Sequence, residues 1–568
     1  MGSLCRVFLV NDGVALSVTL RSRQIAKSTW EMELESATPS ATTCHPPRRA
    51  VLIACAAAMT NVAFGYDVGI ISGSLVDIAT SLRLSTIEQE MVTSGLNFVS
   101  GIGAICVSGN ILDRLGRKAT LLIASLLLLL GSFVVTLADS FLTLLLGRAL
   151  QGLGSGSGWC ACTVYITEIA PQEWRGALVS ISDIGINVGI LLGYCADRAV
   201  NLQMVDEPGL RWRVAMGLSA LLPLVYCCAC HPWLPESPRW LVLVGRDADA
   251  ARALQRVSPV LDSNSVEQQV AVIRAARRVD EASWASSVCP SSAKPRGRVA
   301  IALLLGLAQQ LTGTEAILYY TPRILNQCAL DEGSGDAGGG GVGGGGVGGD
   351  GVGGGVGVAC TPAGTVFLIN LGVGMSKLVG ELIAAALVEL TGRRRALVAS
   401  NLLVSLAVFA IALQFRYGWS TAFGALALSL SMLFFSLGPG PLTWVVINEM
   451  LPMNVRGKVV SLALLCNRFG SGTIALTFLS LKAAVGVFAA FALYAALGVL
   501  VTCFYVGFVP DATGMSLEQN EDGHASSGVE GARAVGAVHL PGASGGSMAV
   551  ATRSTGWTSL VEDGASCS

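Results

Sequence analysis

At 568 residues, 52% hydrophobic and only 13% charged, with a mean hydropathy of +0.61, the chain carries about half the charge of an ordinary soluble domain. That excludes a soluble globular protein and points to one that crosses a membrane many times. A formal net charge of −1 says nothing about partners, because in such a chain the place of each charge matters more than the sum.

Residues 1–47 are polar and mixed, and no apolar run before a small-residue cleavage site marks a signal peptide. They read as a disordered cytoplasmic tail, with a short Ser/Thr- and Arg-bearing transit peptide left open. Twelve apolar segments follow in two sixes, each near the ~20 residues that span a bilayer. The first six lie at 51–75, 92–112, 119–138, 141–165, 177–196 and 214–233, and the second six at 299–325, 363–388, 396–414, 421–447, 459–480 and 484–508. The expected fold is an all-α membrane protein, with bundles at 48–235 and 299–510 and an amphipathic cytoplasmic linker at 236–298. Residues 333–358 are almost wholly Gly and Val, a low-complexity loop on the extracellular or lumenal side. Cys328 and Cys360 flank it and could close it with a disulfide in an oxidising compartment. Residues 511–568 read as a second cytoplasmic tail.

The loops fix orientation. Arg48, Arg49, Arg114, Arg117, Lys118, Arg175, Arg393, Arg394, Arg395, Arg456 and Lys458 fall on one side together with both termini, and the positive-inside rule makes that side cytoplasmic. The halves also repeat each other. Asp113-Arg-Leu-Gly-Arg-Lys118 is echoed by Glu389-Leu-Thr-Gly-Arg-Arg394, and Glu168-Ile-Ala-Pro-Gln-Glu-Trp-Arg-Gly176 by Glu449-Met-Leu-Pro-Met-Asn-Val-Arg-Gly457. A fainter echo links Pro235-Glu-Ser-Pro-Arg-Trp-Leu241 to residues 510–517. The offset is about 275 to 281 residues each time, as duplication into two bundles requires.

The seventh segment departs from plain hydrophobicity. Gly306-Leu-Ala-Gln-Gln-Leu-Thr-Gly-Thr-Glu-Ala-Ile-Leu-Tyr-Tyr320 places two amides, a glycine and a carboxylate at membrane depth, where polar groups are costly unless they face a cavity or a partner. Adjacent amides suit the hydroxyls of a neutral polar solute. On a straight helix Glu315 would point roughly 140° from Gln310, at about 100° per residue, so the two converge only if the helix breaks near Gly313. The alternative is a buried helix whose amides bond its neighbours.

Sixteen cysteines and four histidines show no Cys-x-x-Cys…Cys-x-x-Cys spacing. No metal, cofactor, nucleotide loop or nucleic-acid surface is expected, and the chain does not read as an enzyme.

These motifs, with Gly438-Pro-Gly-Pro-Leu-Thr-Trp444, resemble the sugar-porter family of the major facilitator superfamily over residues 50–325 and 360–517. The resemblance implies two pseudo-symmetric six-helix bundles opening alternately to each side, moving a hexose or pentose, with a monomeric protein in a lipid bilayer. It implies that Arg117, Glu168, Arg175, Glu236, Arg239, Arg393, Glu449 and Arg456 lock the bundles together on the inner face in the outward-open state. Gln309, Gln310, Trp444 and Asn467 match the family's sugar contacts, and Tyr319 and Tyr320 its outer gate. Asp67 and Arg148 match positions that carry Asp and Arg in proton symporters of the family. Counted from the outer helix ends they lie at similar depth, so a buried ion pair and proton switch is expected. Three positions depart from the family: Asp183 replaces Gln, Glu315 replaces Asn, and Lys377 replaces an Asn in many members. Glu315 and Lys377 lie at matching depth and are expected to pair, with Glu381 a competing partner; together with Asp183 they complete the expected substrate site.

The expected function is proton-coupled monosaccharide symport. The alternatives are a facilitative sugar or polyol (inositol) uniporter and a non-transporting sugar sensor. The plasma membrane is the default location, with plastid or vacuolar membranes open.

Overall fold

The structure, a computed structural model, describes residues 47–106, 111–171, 174–204, 207–259, 262–276, 293–325, 363–451 and 453–509. The Gly-rich loop, Cys328, Cys360 and nearly all of both tails lie outside the described residues. No strand occurs among the described residues, and apart from short breaks at 309–313 and at Gly438 the described parts of all twelve apolar stretches fall on helices. These are α1 (Arg48–Leu82), α2 (Thr86–Cys106), α3 (Arg117–Thr136), α4 (Phe141–Ile169), α5 (Arg175–Gln203) and α6 (Pro208–Trp233), then α7 (Ala293–Ala308), α8 (Thr314–Leu325), α9 (Ala363–Thr391), α10 (Arg393–Tyr417), α11 (Thr421–Leu437), α12 (Pro439–Met450) and α13 (Met453–Phe508). Gly486, at φ 83°, bends α13 back on itself, so it supplies the last two stretches. Among the described residues, eight helical stretches pass both length and composition tests for crossing a membrane. Short helices Pro238–Leu243, Asp247–Val257 and Ser263–Ala276 occupy the linker.

Local sequence sets the helix ends. Ser85 and Glu88 form a reciprocal capping box at the start of α2, Glu88 accepting from the Ser85 backbone N–H at 2.8 Å. Ser140 and Ser420 cap α4 and α11 through their side-chain oxygens, and prolines open α6 and α12, where no backbone donor is needed. Leu130, Phe133, Leu142, Leu146, Leu406 and Leu500 stay exposed on the helix exteriors, an apolar coat suited to lipid.

The first six helices pack through α1–α5, α3–α4 and α2–α4, and the second half through α10–α13, α9–α11 and α7–α13; α2–α13 and α5–α9 join the halves. Glycines let α1 and α5 touch backbone to backbone. A β-carbon added at Gly65 would lie 2.0 Å from the Ile186 carbonyl oxygen, and one at Gly189 would lie 2.1 Å from that of Val62. Such close approach is how apolar helices associate where lipid removes the hydrophobic drive.

Candidate functional site

The helix break expected near Gly313 is present. α7 ends at Ala308, residues 309–312 turn, Gly313 takes φ 74°, and α8 restarts at Thr314. The left-handed φ strongly favours glycine. A β-carbon there would also lie 2.6 Å from the Tyr494 ring. The break brings Gln309, Gln310 and Glu315 to one cavity.

That cavity measures about 90 Å³, room for several waters, and lies between the two halves. Phe64, Trp159, Asp183 and Asn187 line it from the first half, and Gln309, Gln310, Glu315, Lys377, Glu381, Trp444 and Arg468 from the second. Trp159 and Trp444 meet edge to face across it at 5.9 Å. The Arg468 guanidinium lies 5.1 Å from the Trp159 ring centroid and 5.9 Å from that of Phe64. Six of the seven expected substrate residues therefore share one cavity, and Asn467 does not.

Asn467 is fully buried behind the wall. Its Nδ2 donates to the Gly306 carbonyl at 3.0 Å and to Gln309 Oε1 at 2.6 Å. Its Oδ1 accepts from Gln310 Nε2 at 3.2 Å and from two Arg468 nitrogens. Both lobes of the amide are used, so Asn467 holds the two glutamines in place rather than reaching the cavity. Gln309 is anchored further by donating to the Pro439 and Gly440 carbonyls, both at 2.9 Å.

The expected Glu315–Lys377 ion pair is absent. Both side chains line the cavity, but no carboxylate lies within 4.0 Å of the Lys377 ammonium among the described ion pairs. Glu381 instead accepts from Asn187 Nδ2 of the other half at 2.8 Å. Matching depth brings both charges to one cavity without bringing them into contact.

Asp67 and Arg148 are both buried, yet no direct ion pair joins them. Gln151, on the turn after Arg148, stands between. It accepts from Arg148 Nη1 at 3.1 Å and donates to Asp67 Oδ1 at 3.2 Å and to Ser132 Oγ at 3.3 Å. Arg148 Nε reaches the Val92 carbonyl at 3.3 Å, while its Nη2 is buried without a partner.

At the end of the bundle away from the basic loops, the halves are tied together. Glu90 of α2 accepts from the backbone N–H and hydroxyl of Ser480 on α13 at 2.7 and 2.6 Å. Arg323 of α8 donates to Gln89, and the Tyr319 hydroxyl accepts from Asn97 Nδ2 at 3.0 Å. Tyr320 is turned away from the cavity, its hydroxyl on the Ala475 carbonyl at 2.6 Å and its ring stacked on Phe478.

At the basic end, every expected lock contact that forms lies within one half. Arg117 pairs with Glu168 at 2.8 Å and Asp113 at 3.3 Å, and Glu236 accepts from the backbone N–H groups of Arg117, Lys118 and Ser237. Burial pushes the Glu236 carboxyl above its ordinary range, and those three donors pull it back. In the other half Arg393 pairs with Glu449 at 3.1 Å, and Arg456 donates to the Leu451 carbonyl. Arg175 is half-buried with its Nε unpartnered, and no described ion pair includes Arg239. The reason is that each repeat carries its own acid beside its own base. The two pairs differ in exposure. Arg117 and Glu168 are 6% and 12% exposed, Arg393 and Glu449 30% and 27%. Arg117→Ala should therefore cost about 2 kcal/mol more stability than Arg393→Ala, readable as a difference in thermal unfolding of the two purified variants.

Three polar or aromatic cavity groups escaped the sequence reading, Asn187, Trp159 and Arg468, as did the bridging Gln151. Arg468, Asn187 and Gln151 each gave a signal, a charge or amide inside an apolar segment.

The profile of the sugar (and other) transporter family matches residues 53–343 and 356–523. "Probable polyol transporter 4" of Arabidopsis thaliana is 31% identical over 486 residues, covering 83% of this chain and 85% of that protein. The glucose transporter GlcP of Staphylococcus epidermidis is 27% identical, covering 83% and 96%. Among solved structures, an inward-open conformation of the xylose transporter XylE from E. coli superposes with a TM-score of 0.67 at 22% identity, over 83% of this chain and 99% of that one. Motifs, fold and profile agree: the chain belongs to the sugar transporter family of the major facilitator superfamily, and is a multi-pass membrane transporter rather than an enzyme.

Proposed function

We propose that the chain moves a small polyhydroxylated solute, a monosaccharide or polyol, by alternating access and together with a proton. The observation that carries this is the cavity between the halves, walled by amides and carboxylates and closed by two tryptophans. Amides and carboxylates bind hydroxyls, and an indole face suits the C–H face of a sugar or polyol. The polyol transporter among the relatives supports the polyol as much as the monosaccharide. In this reading the basic end is cytoplasmic. Ties at Glu90, Gln89 and Asn97, with the Arg117–Glu168 and Arg393–Glu449 pairs each kept within one half, support a state closed to the outside. Asp67 takes up the proton. A neutral Asp67 loosens Gln151, which then frees Arg148 to move, and the unpartnered Arg148 Nη2 marks where a second contact forms in the opposite state. Tyr319 closes the outer side of the cavity.

Uptake of labelled glucose, xylose, inositol and sorbitol in transport-deficient cells, with and without a protonophore, tests the reading. Accumulation of at least one solute that collapses with the protonophore is expected. Equilibrating uptake indifferent to pH would replace symport with uniport. No flux of any solute, in protein shown to reach the surface, would replace transport with sensing.

A further inference from the structure

The cavity's hydrogen-bond polarity is fixed by groups outside it. The Pro439 and Gly440 carbonyls can only accept, so Gln309 must give them its NH₂ and turn its Oε1 to Asn467. Asn467 Oδ1 already takes Arg468, which can only donate, so Gln310 must present its NH₂ there as well. The carbonyl of Gln310 is then left over, and its Oε1 is buried and unpartnered. The same holds across the cavity, where Asn187 gives its NH₂ to Glu381 and keeps a buried, unpartnered Oδ1. Gln310 and Asn187 are each 2% exposed and both line the cavity.

The charges lean the same way. Asp183, Glu315 and Glu381 face Lys377 and Arg468, three carboxylates against two cations. A neutral sugar is a poor match for this surplus of acceptors, because each hydroxyl brings one donor and two acceptor lone pairs. An ammonium brings three donors and no acceptor. Asp183 and Asn187 lie one turn apart on α5, so one face of α5 offers a carboxylate and an orphan carbonyl together.

We infer that the preferred substrate is a polyhydroxylated cation, an amino sugar or amino polyol, with its ammonium held by Asp183 and the Asn187 carbonyl and its hydroxyls by Gln310 and Glu315. The inference rests on the transport reading and narrows it.

The test compares glucosamine, glucose and N-acetylglucosamine on the full-length protein at mildly acidic pH, by labelled uptake and by the Tm of the purified protein with each solute. Glucosamine should enter at least about tenfold faster than glucose at equal low concentration and raise Tm more, and N-acetylation should remove both effects. Asp183→Asn should bring glucosamine to within about twofold of glucose. Glucose or N-acetylglucosamine handled as well as glucosamine, or a preference intact in Asp183→Asn, overturns the inference and leaves neutral-solute transport standing. A Tm rise specific to glucosamine without flux of any solute upholds the cation site and removes transport. No Tm rise and no flux with any of the three removes both. The wild-type comparison stands even if Asp183→Asn fails to fold.

Discussion

Asp67→Asn is expected to abolish accumulation while leaving exchange of substrate across the membrane. The substitution is nearly isosteric, and the new amide carbonyl can still accept from Gln151 Nε2, which in the wild type sits 3.2 Å from Asp67 Oδ1. The link to Arg148 therefore survives, and so does the packing around a side chain that is 1% exposed. What is lost is the ability to gain and release a proton. One proton moving down 100 mV supplies about 2.3 kcal/mol, enough to hold a neutral solute roughly fiftyfold above its outside level. Read with a neutral sugar or polyol, that ratio should fall to about one in the variant, with the protonophore no longer changing it, while counterflow of labelled against unlabelled solute persists. Accumulation intact in the variant would move the proton site away from Asp67, with the carboxylates of the cavity the next place to look. If the variant lost counterflow as well, Asp67 would be holding the bundle together instead.

The fold was legible because its signals are long. Each apolar stretch lies on helix, the seventh and tenth in two pieces, and the repeated Glu…Arg-Gly turns mark the same corner in both halves. The break at Gly313 could be reasoned from Gln310 and Glu315, since only a turn there could bring both to one place. The site was legible at the residues whose presence in an apolar segment is costly, and less so in who pairs with whom. Depth along a helix predicted Asp67 beside Arg148 and Glu315 beside Lys377. Depth fixes one coordinate, while rotation about the helix axis decides contact, and Gln151 occupies the space between the first pair. Asn467 shows the opposite limit. Its polarity marked it as important, yet only the structure reveals that both of its amide groups are spent on Gln309, Gln310, Gly306 and Arg468. The inner-face charges are paired within each half in this conformation, because a motif duplicated whole brings its counter-ion with it.

Gly189→Val should leave little folded protein. A β-carbon at residue 189 would lie 2.1 Å from the Val62 carbonyl oxygen, 2.7 Å from the Tyr66 nitrogen and 2.9 Å from the Gly65 Cα. All three are backbone, so no side chain can turn aside, and α1 and α5 must separate. A branched side chain adds further volume at the same point, and the expected cost is about 3 kcal/mol or more. The consequence reaches the site, because the same two helices carry Phe64, Val68, Asp183 and Asn187 to the cavity, and Asp67 sits on the turn between. Gly457→Ala is the matched control. Its added methyl meets nothing within 4 Å, and the helix gains propensity of up to about 1 kcal/mol. Heating both variants in detergent and following the monodisperse fraction should show Gly189→Val lost at temperatures where wild type survives, and Gly457→Ala equal to wild type or above it. Equal stability of Gly189→Val and wild type would mean that α1 and α5 do not approach through their glycines, and the wall of the cavity they form would have to be redrawn.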